Sequence, residues 1–302
     1  MDVEEQTSGM NLSANTFFLQ TGWFNIQLRC EEVPTWAASL QKRYHGFLTS
    51  SVPDTHFVQL TVFPALTEAP ATGNKQPALL PDQVHFSPPG WEGIYNISQR
   101  TGWVRPVTPY FLEEIDYFMR VVCAVQAFRE GGLLLHAAGI LRDHQAFVFL
   151  GHSGAGKTTV ARVSGHPQVL NDDLVFVRPA AEGWRVYGSP FYNATQVIPQ
   201  KSHQAPLAGM FYLVQDQEVY LEDPSSGEAL AQLMSNIPVV SAHLPYTSEL
   251  LSRCQGLLGD IPHFYLHFRP DDSFWNEIEA RFPSPRLKVV STPGRQTTKK
   301  SP

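Results

Sequence analysis

The pattern of apolar and polar positions divides the chain into strand-like and helix-like stretches. In the first third, aromatic and β-branched residues cluster in runs with partial alternation, which is typical of strands. These runs predict a strand over Thr16–Cys30, a strand over Thr55–Phe63 and a strand-like stretch over Gly93–Val104. Apolar residues at every fourth position predict a helix over Pro34–Tyr44, whereas six prolines between Pro64 and Pro89 predict an irregular loop.

A longer helix is predicted after this region. Thr108 is its expected N-cap, Pro109 its expected first residue, and the pair Gly131–Gly132 ends the helical periodicity. Two apolar strands follow at Leu133–Leu141 and Ala146–Leu150. Because only four polar residues separate them, we expect an antiparallel hairpin, and therefore a mixed rather than a purely parallel sheet.

The rest of the chain alternates between strands and helices. Further strands are predicted at Leu174–Val177, Trp184–Gly188, Met210–Val214, Glu218–Leu221 and His263–Phe268, and helices at Thr158–Val163, Glu228–Asn236, Tyr246–Leu258 and Asp271–Phe282. Asp271 or Asp272 is expected to cap the last helix. The pattern predicts an α/β fold with a β-rich region of unknown task over 1–105, an α/β domain over 106–283 and a disordered basic tail over 284–302.

A glycine-rich segment lies between the predicted strand Ala146–Leu150 and the predicted helix that follows it. Gly151–Thr158 has the form G-x-x-x-x-G-K-S/T, in which backbone N–H groups cradle phosphate oxygens, the lysine reaches the β- and γ-phosphates and the hydroxyl ligates Mg²⁺. The nucleotide-binding residues expected from this motif are Gly151, Ser153, Gly154, Ala155, Gly156, Lys157, Thr158 and Thr159. The alternative is a glycine-rich turn with an incidental lysine.

Composition adds several exclusions. The 302 residues carry a formal net charge of −6, which gives no general attraction to nucleic acid or to an anionic membrane. No apolar run approaches the ~20 residues of a membrane-spanning helix, and the acidic start is unlike a signal peptide. The three cysteines are isolated, so we expect neither a disulfide framework nor a zinc site, and we predict a reducing, cytoplasmic location.

An acidic pair follows the glycine-rich segment. Two adjacent carboxylates beside a metal–phosphate site can divide the work, because one can hold Mg²⁺ while the other accepts the proton of an attacking hydroxyl. Asp172 and Asp173 are the candidates, although a run of Asn-Asp-Asp is also typical of a turn before a strand. Three arginines, Arg178, Arg185 and Arg269, are candidates for stabilising transition-state charge, and ordinary surface ion pairs explain them equally well.

Three segments in this order resemble the catalytic domain of the HPr kinase/phosphorylase family, which belongs to the PEP-carboxykinase-like kinases. They are His136-Ala137-Ala138-Gly139, the Gly151–Thr158 motif and Asp172-Asp173, and the similarity extends over about residues 108–280. The resemblance implies a PEP-carboxykinase-like mixed sheet, with Asp172 as the base, Lys157 on the phosphates, and Thr158 and Asp173 on the metal. His136 would contact a phosphate or orient an aspartate, and a satisfied core histidine is the alternative.

Two features set the chain apart from typical members of that family. The segment Gly183–Phe191 resembles a subgroup of HPr-kinase-related proteins, some of which occur in gene clusters for modified peptides. The glutamate-bearing E-x-R-G signature is absent, and Tyr187-Gly188-Ser189-Pro190 stands roughly in its place. The N-terminal region also differs from the family's regulatory domain, which argues against HPr itself as the substrate.

The leading hypothesis is a kinase that uses ATP and Mg²⁺ to phosphorylate a hydroxyl, expected to be serine, on a protein or peptide partner. A small-metabolite kinase and a non-catalytic nucleotide-binding partner in a biosynthetic or regulatory complex remain as alternatives. No nucleic-acid or membrane partner is expected, and a homo-oligomer is left open. A GTPase is disfavoured because the chain lacks an N-K-x-D base-recognition motif.

Overall fold

The computed structural model describes residues 15–50, 57–65, 73–107, 109–165, 169–192 and 202–283. Within these ranges the chain forms two mixed β-sheets and six α-helices, which confirms the α/β class. Thr108 and the predicted disordered tail 284–302 lie outside the described residues. No α-helix of the described residues combines the length and the hydropathy that a membrane crossing requires.

The first sheet is built from the N-terminal strands. Their bounds are β1 Thr16–Thr21, β2 Phe24–Cys30, β3 Leu48–Thr49, β4 Phe57–Val62, β5 Asn74–Leu79, β6 Gln83–Ser87, β7 Glu92–Asn96 and β8 Thr101–Arg105. They lie in the order β3-β1-β2-β4-β8-β7-β6-β5, with parallel pairs only at β2–β4 and β4–β8 among these strands. The predicted helix is present as α1, Pro34–Arg43.

Three predictions for this region need correction. The stretch Gly93–Val104 contains two strands rather than one, because β7 and β8 pair antiparallel within it. The run Thr16–Cys30 contains two strands, because Gly22 adopts a φ of 86° and turns the chain into a hairpin. The proline-rich segment Pro64–Pro89 is not wholly irregular, since it contains β5 and β6 as an antiparallel pair. Pro77 is tolerated because β5 is the edge strand of the sheet, where a proline removes no central ladder hydrogen bond.

The second sheet surrounds the candidate loop. Its strands are β9 Leu133–Arg142, β10 Gln145–Leu150, β11 Val169–Asn171, β12 Leu174–Ala180, β13 Gly183–Gly188, β14 Gln204–Gln215, β15 Tyr220–Glu222 and β16 His263–Phe268. The pairings β10-β9-β12-β13-β14 return to β10, so five strands form a closed ring that the sequence pattern did not predict. Strand β14 is long enough to pair with β13 at its start and with β16 further along.

Strand β10, which precedes the glycine-rich segment, confirms the mixed sheet. It pairs antiparallel with β9 through a hairpin and parallel with β14 on its other side. At the far end of this ladder Leu150 lies opposite Ala137, so the chain leaves β10 next to His136. The short turn between β9 and β10 therefore brings the start of the glycine-rich loop close to His136.

The remaining helices are α2 Phe111–Arg129, α3 Lys157–Ser164, α4 Ser226–Ser235, α5 Thr247–Asp260 and α6 Phe274–Arg281. Helix α2 begins at Phe111 with Tyr110 as its N-cap, so the predicted cap Thr108 and the predicted first residue Pro109 are wrong. Its end is as predicted, because Gly131 adopts a φ of 87° there. The predicted cap of α6 is wrong: Ser273 occupies that position, and Asp271 Oδ1 accepts a hydrogen bond from the Ser273 N–H.

The two sheets share one hydrophobic core. A continuous cluster of buried side chains runs from the first sheet through α2 into the second. At the junction the ring of Trp23 lies 5.8 Å from that of Phe176 and 5.2 Å from that of Tyr187. A Cβ on Gly132 would lie 2.5 Å from Trp23, so this approach requires glycine. The N-terminal strands are therefore packed directly against the domain that carries the loop.

Candidate functional site

The glycine-rich segment connects β10 to α3, the strand–loop–helix arrangement that its motif requires. Gly154 and Gly156 adopt φ angles of 84° and 111°, which side-chain-bearing residues rarely adopt. Gly156 also lies against Phe268, whose Cζ would be 2.5 Å from an added Cβ. Both the turn and the packing therefore require glycine at position 156.

Lys157, the first residue of α3, points back across the loop. Its Nζ donates hydrogen bonds to the carbonyl oxygens of Gly151 at 2.6 Å and His152 at 3.2 Å. Burial lowers the pKa of Lys157, and the nearby Asp173 and Asp172 offset part of this effect. Burial of an ammonium group costs free energy because the group loses its hydration, and a bound anion would offset that cost. Lys157 is therefore well placed to bind an anion.

The acidic pair occupies a tight turn between β11 and β12. The sequence pattern placed these residues at the start of a strand, but they also follow a three-residue strand, β11, that it missed. Asn171 Oδ1 accepts hydrogen bonds from the N–H groups of Asp173 at 2.7 Å and Leu174 at 2.9 Å, as in an Asx-turn. Its Nδ2 donates to the carbonyl oxygens of Ser189 and Phe191. Asn171 thus ties the turn to the segment that follows β13.

Strand β9 brings the loop and the acidic turn together. On one edge it pairs with β10, and on the other it pairs first with β12 and then with β11. His136 lies opposite Leu174, the residue directly after the acidic pair. Its Nε2 lies 3.2 Å from Asp173 Oδ1. The predicted alternative in which His136 orients an aspartate therefore matches the geometry.

Asp173 is held on both carboxylate oxygens. Arg120 Nη1 donates to its Oδ2 over 2.9 Å, while His136 lies at its Oδ1. Burial raises the pKa of this carboxyl, but the hydrogen bond from His136 and the charge of Arg120 outweigh burial and bring the pKa below its ordinary value. Asp173 is therefore an anion whose orientation is set by two cationic or hydrogen-bonding neighbours.

A single cleft of about 250 Å³ collects most of the predicted site. Its lining residues are His136, Ser153, Gly154, Gly156, Lys157, Thr158, Thr159, Asp172, Asp173 and Gln215. Gly151 and Ala155, also predicted, line a neighbouring cavity of about 440 Å³, which shares Gly154 and Gln215 with the cleft. All the predicted residues thus lie around one loop, and the acidic residues face the same space as Lys157.

A larger cavity of about 760 Å³ adjoins this cleft. The two share Gly156, Thr159 and Gln215 in their walls. The larger one is completed by Phe268 and Pro270 and by the turn between β14 and β15. Gln215 Nε2 donates to the Gly154 carbonyl over 2.7 Å and so fixes the tip of the loop between the two spaces.

The donor set fits a magnesium ion only in combination with phosphate. Among the described residues, no three His, Cys, Asp or Glu side chains form a metal cluster of their own. Mg²⁺ commonly takes one or two carboxylates and completes its octahedron with phosphate oxygens and water. Asp172, Asp173 and the Thr158 hydroxyl provide such oxygen donors in one cleft.

Several residues of the site carried no signal in the sequence. Arg120 lies on α2, 53 residues before its partner Asp173. Asn236 follows α4, and its Oδ1 accepts from the Gly151 N–H at 3.3 Å while its carbonyl accepts from the His136 N–H at 2.7 Å. Only the fold brings these side chains to the loop.

The three arginines proposed from the sequence lie elsewhere. The Arg178 guanidinium lies 5.1 Å from the Trp23 ring, and Arg185 donates to Gln204 at 3.3 Å. Arg269 pairs with Asp271 at 3.3 Å. None of the three lines the cleft, and Arg120 is the guanidinium that contacts the acidic pair.

Comparison of the chain with protein-family models and with curated proteins finds no match to either.

Proposed function

We propose that this chain is a kinase that uses ATP and Mg²⁺ to phosphorylate a serine hydroxyl on a protein or peptide. The observation that supports this best is the common cleft of Lys157, Thr158, Asp172, Asp173 and His136. Phosphoryl transfer needs mainly positioning and charge neutralisation, and these side chains can provide both. The resemblance to HPr kinase-related proteins supports the same chemistry.

A nucleoside triphosphate bound to the loop would have one defined orientation. Lys157 lies beside the acidic residues and would hold the β- and γ-phosphates there. The α-phosphate would then lie over Thr159, and the nucleoside would enter the 760 Å³ cavity that shares this residue. Acidic side chains, Asp216 and Glu218, line that cavity without a lysine or arginine. Such walls disfavour phosphate but can accept hydrogen bonds from a base amino group or ribose hydroxyls.

The acidic residues would have separate tasks. Asp172 would accept the proton of the serine hydroxyl as its oxygen bonds to the γ-phosphorus, and the bond to the β-phosphate oxygen would break to release ADP. Thr158 and Asp173 would hold the metal, which neutralises charge on the transferred phosphoryl group when bound. Because Arg120 and His136 already contact the two oxygens of Asp173, the metal would be held either beside these partners or through a water.

A non-catalytic nucleotide-binding protein is the second candidate. The engagement of Asp173 by Arg120 and His136 favours it, because a carboxylate committed to protein partners is less available to a metal. Such a protein would need Lys157 and Thr158 but could lose Asp172 without consequence.

Substitution of Asp172 by Asn separates the two functions. For a kinase, Asp172→Asn should lower phosphate transfer by roughly 10²–10⁴ with little change in ATP affinity. Transfer would be measured with labelled ATP on candidate peptides, and affinity by calorimetry. Asp260→Asn is the control, because it makes the same chemical change outside the cleft. Asp260 accepts a hydrogen bond from Trp184 and is not among the lining residues. ATP binding without any transfer in the native chain would support the second candidate.

A further inference from the structure

The N-terminal region reaches the acidic turn through a chain of alternating charges. Arg43, the last residue of α1, donates from Nε to Asp116 Oδ1 over 2.9 Å. The other oxygen of Asp116 accepts from Arg120 Nε at 2.7 Å, and Arg120 Nη1 continues to Asp173. The first and last members are thus connected by two intervening side chains on α2.

These side chains are largely shielded from solvent, and both oxygens of Asp116 accept hydrogen bonds. The side chains of Asp116, Arg120 and Arg43 are 7%, 20% and 21% exposed. The Tyr44 hydroxyl also donates to Asp116 Oδ1 at 2.9 Å, so the two oxygens of this carboxylate accept from three side chains. In such surroundings charges interact strongly, and removing one member changes what its neighbours do.

A second connection joins Arg43 to the same turn. Arg43 Nη2 donates to the Tyr192 carbonyl over 2.8 Å, and its guanidinium lies 4.6 Å from the centre of the Tyr192 ring. The neighbouring Phe191 carbonyl accepts from Asn171, the residue that shapes the acidic turn. Arg43 and Asn171 therefore hold adjacent carbonyl groups of one segment.

We propose that Arg43 is a positioning residue for the phosphate-transfer site, acting on Asp173 through Asp116 and Arg120. The inference rests on the proposed function and gives the N-terminal region a task in it. The guanidinium of Arg120 contacts two carboxylates: its Nε donates to Asp116 and its Nη1 donates to Asp173. Without Arg43, Asp116 Oδ1 would keep only the Tyr44 hydroxyl, and Arg120 would shift toward this carboxylate to make a two-bond contact with it. This shift would weaken the contact from Arg120 Nη1 to Asp173, whose carboxylate would then be held mainly by His136 at Oδ1.

The experiment measures how much Mg²⁺ tightens ATP binding, which is independent of turnover. ATP affinity is determined by calorimetry with and without Mg²⁺ for Arg43→Met, Arg120→Met and the native chain. Lys42→Met is the matched control, because it removes an exposed positive charge from the adjacent position of the same helix. We expect Arg43→Met and Arg120→Met to reduce the gain from Mg²⁺ by roughly tenfold, as for other supporting partners of metal ligands. The ATP affinity without Mg²⁺ should be the same in all variants. Lys42→Met should match the native chain both with and without Mg²⁺.

Two further variants distinguish positioning from a merely structural role. The double variant Arg43→Met/Arg120→Met should lose no more than Arg120→Met alone, because Arg43 acts through Arg120. Arg43→Lys keeps the charge but not the fork, and provides a folded protein if the methionine variant does not fold. It should reduce the metal-dependent gain in the same direction. Urea midpoints show whether each variant is folded.

The outcomes that overturn the inference are specific. Unchanged gain from Mg²⁺ in folded Arg43 variants, with only the urea midpoint lowered, would make the chain of charges structural. If the double variant reduces the gain from Mg²⁺ by the product of the two single reductions, Arg43 does not act through Arg120. A native chain that binds no ATP would overturn the proposed function itself, and the inference with it.

Discussion

The ring of Phe268 occupies the space that a side chain at position 156 would need, because an added Cβ would lie 2.5 Å from its Cζ. Phe268 ends β16, whereas Gly156 precedes α3, so the last strand of the second sheet supports the loop from behind. This contact joins the loop's backbone to the hydrophobic cluster formed around α3 and α6. The conformation of the loop is therefore sensitive to one added methyl group.

We predict that Gly156→Ala distorts the loop and abolishes ATP binding. The positive φ should cost roughly 1–3 kcal/mol of unfolding free energy, and the contact with Phe268 should add to this. Gly227→Ala is the matched control: it lies in α4 with open space around it and should gain about 0.5–1 kcal/mol. Urea unfolding and calorimetry measure both effects. Native ATP affinity in Gly156→Ala would show that the loop does not bind phosphate.

Lys157→Ala should weaken ATP binding and abolish transfer while the chain remains folded. The Lys157 ammonium group contacts two carbonyl oxygens rather than the core, so its loss removes charge more than packing. Arg162→Ala removes an equal charge from the exposed side of the same helix and should leave ATP affinity unchanged. Equal affinities of the two variants in a calorimetric titration would contradict the role given to Lys157.

The direction of the bound nucleotide can be tested by filling one cavity at a time. Gln217→Trp fills the 760 Å³ cavity and should weaken ATP binding by roughly tenfold or more, because the nucleoside loses its place. It should leave tripolyphosphate binding unchanged, since the phosphates lie in the other cleft. Gln232→Trp fills the 440 Å³ cavity and should affect neither ligand. The reverse result would place the nucleoside in the 440 Å³ cavity.

Asp173 should make the stability of the chain depend on pH. Burial raises the pKa of this carboxyl, but His136 and Arg120 bring it below its ordinary value in the folded state. The unfolded chain therefore binds the proton more readily. The stabilisation from Asp173 is fully present above about pH 4 and is lost as the pH falls through the lower folded pKa. Urea unfolding from about pH 6 to about pH 3 should give a flatter profile for Asp173→Asn than for the native chain. Parallel profiles would contradict this contribution.

Local patterns in the sequence determined much of the second sheet and the loop. The hairpin of β9 and β10 follows from two apolar runs separated by four polar residues, and β16 has the bounds that its pattern predicts. The motif Gly151–Thr158 also placed a strand before it and a helix after it. These features depend on neighbouring residues alone, since turn geometry and side-chain periodicity are properties of short segments.

The tertiary structure alone decided how the strands close and which charges meet. The ring of five strands requires β14 to return beside β10, and no local pattern encodes that distance along the chain. Arg43 and Asp116 lie 73 residues apart, and Arg120 and Asp173 lie 53 apart. An arginine that forms a buried ion pair has no spacing that distinguishes it from one on the surface. Its partner is determined by the packing of α1 and α2 against the sheets, which is why the sequence missed Arg120 and pointed to Arg178, Arg185 and Arg269, which do not line the cleft.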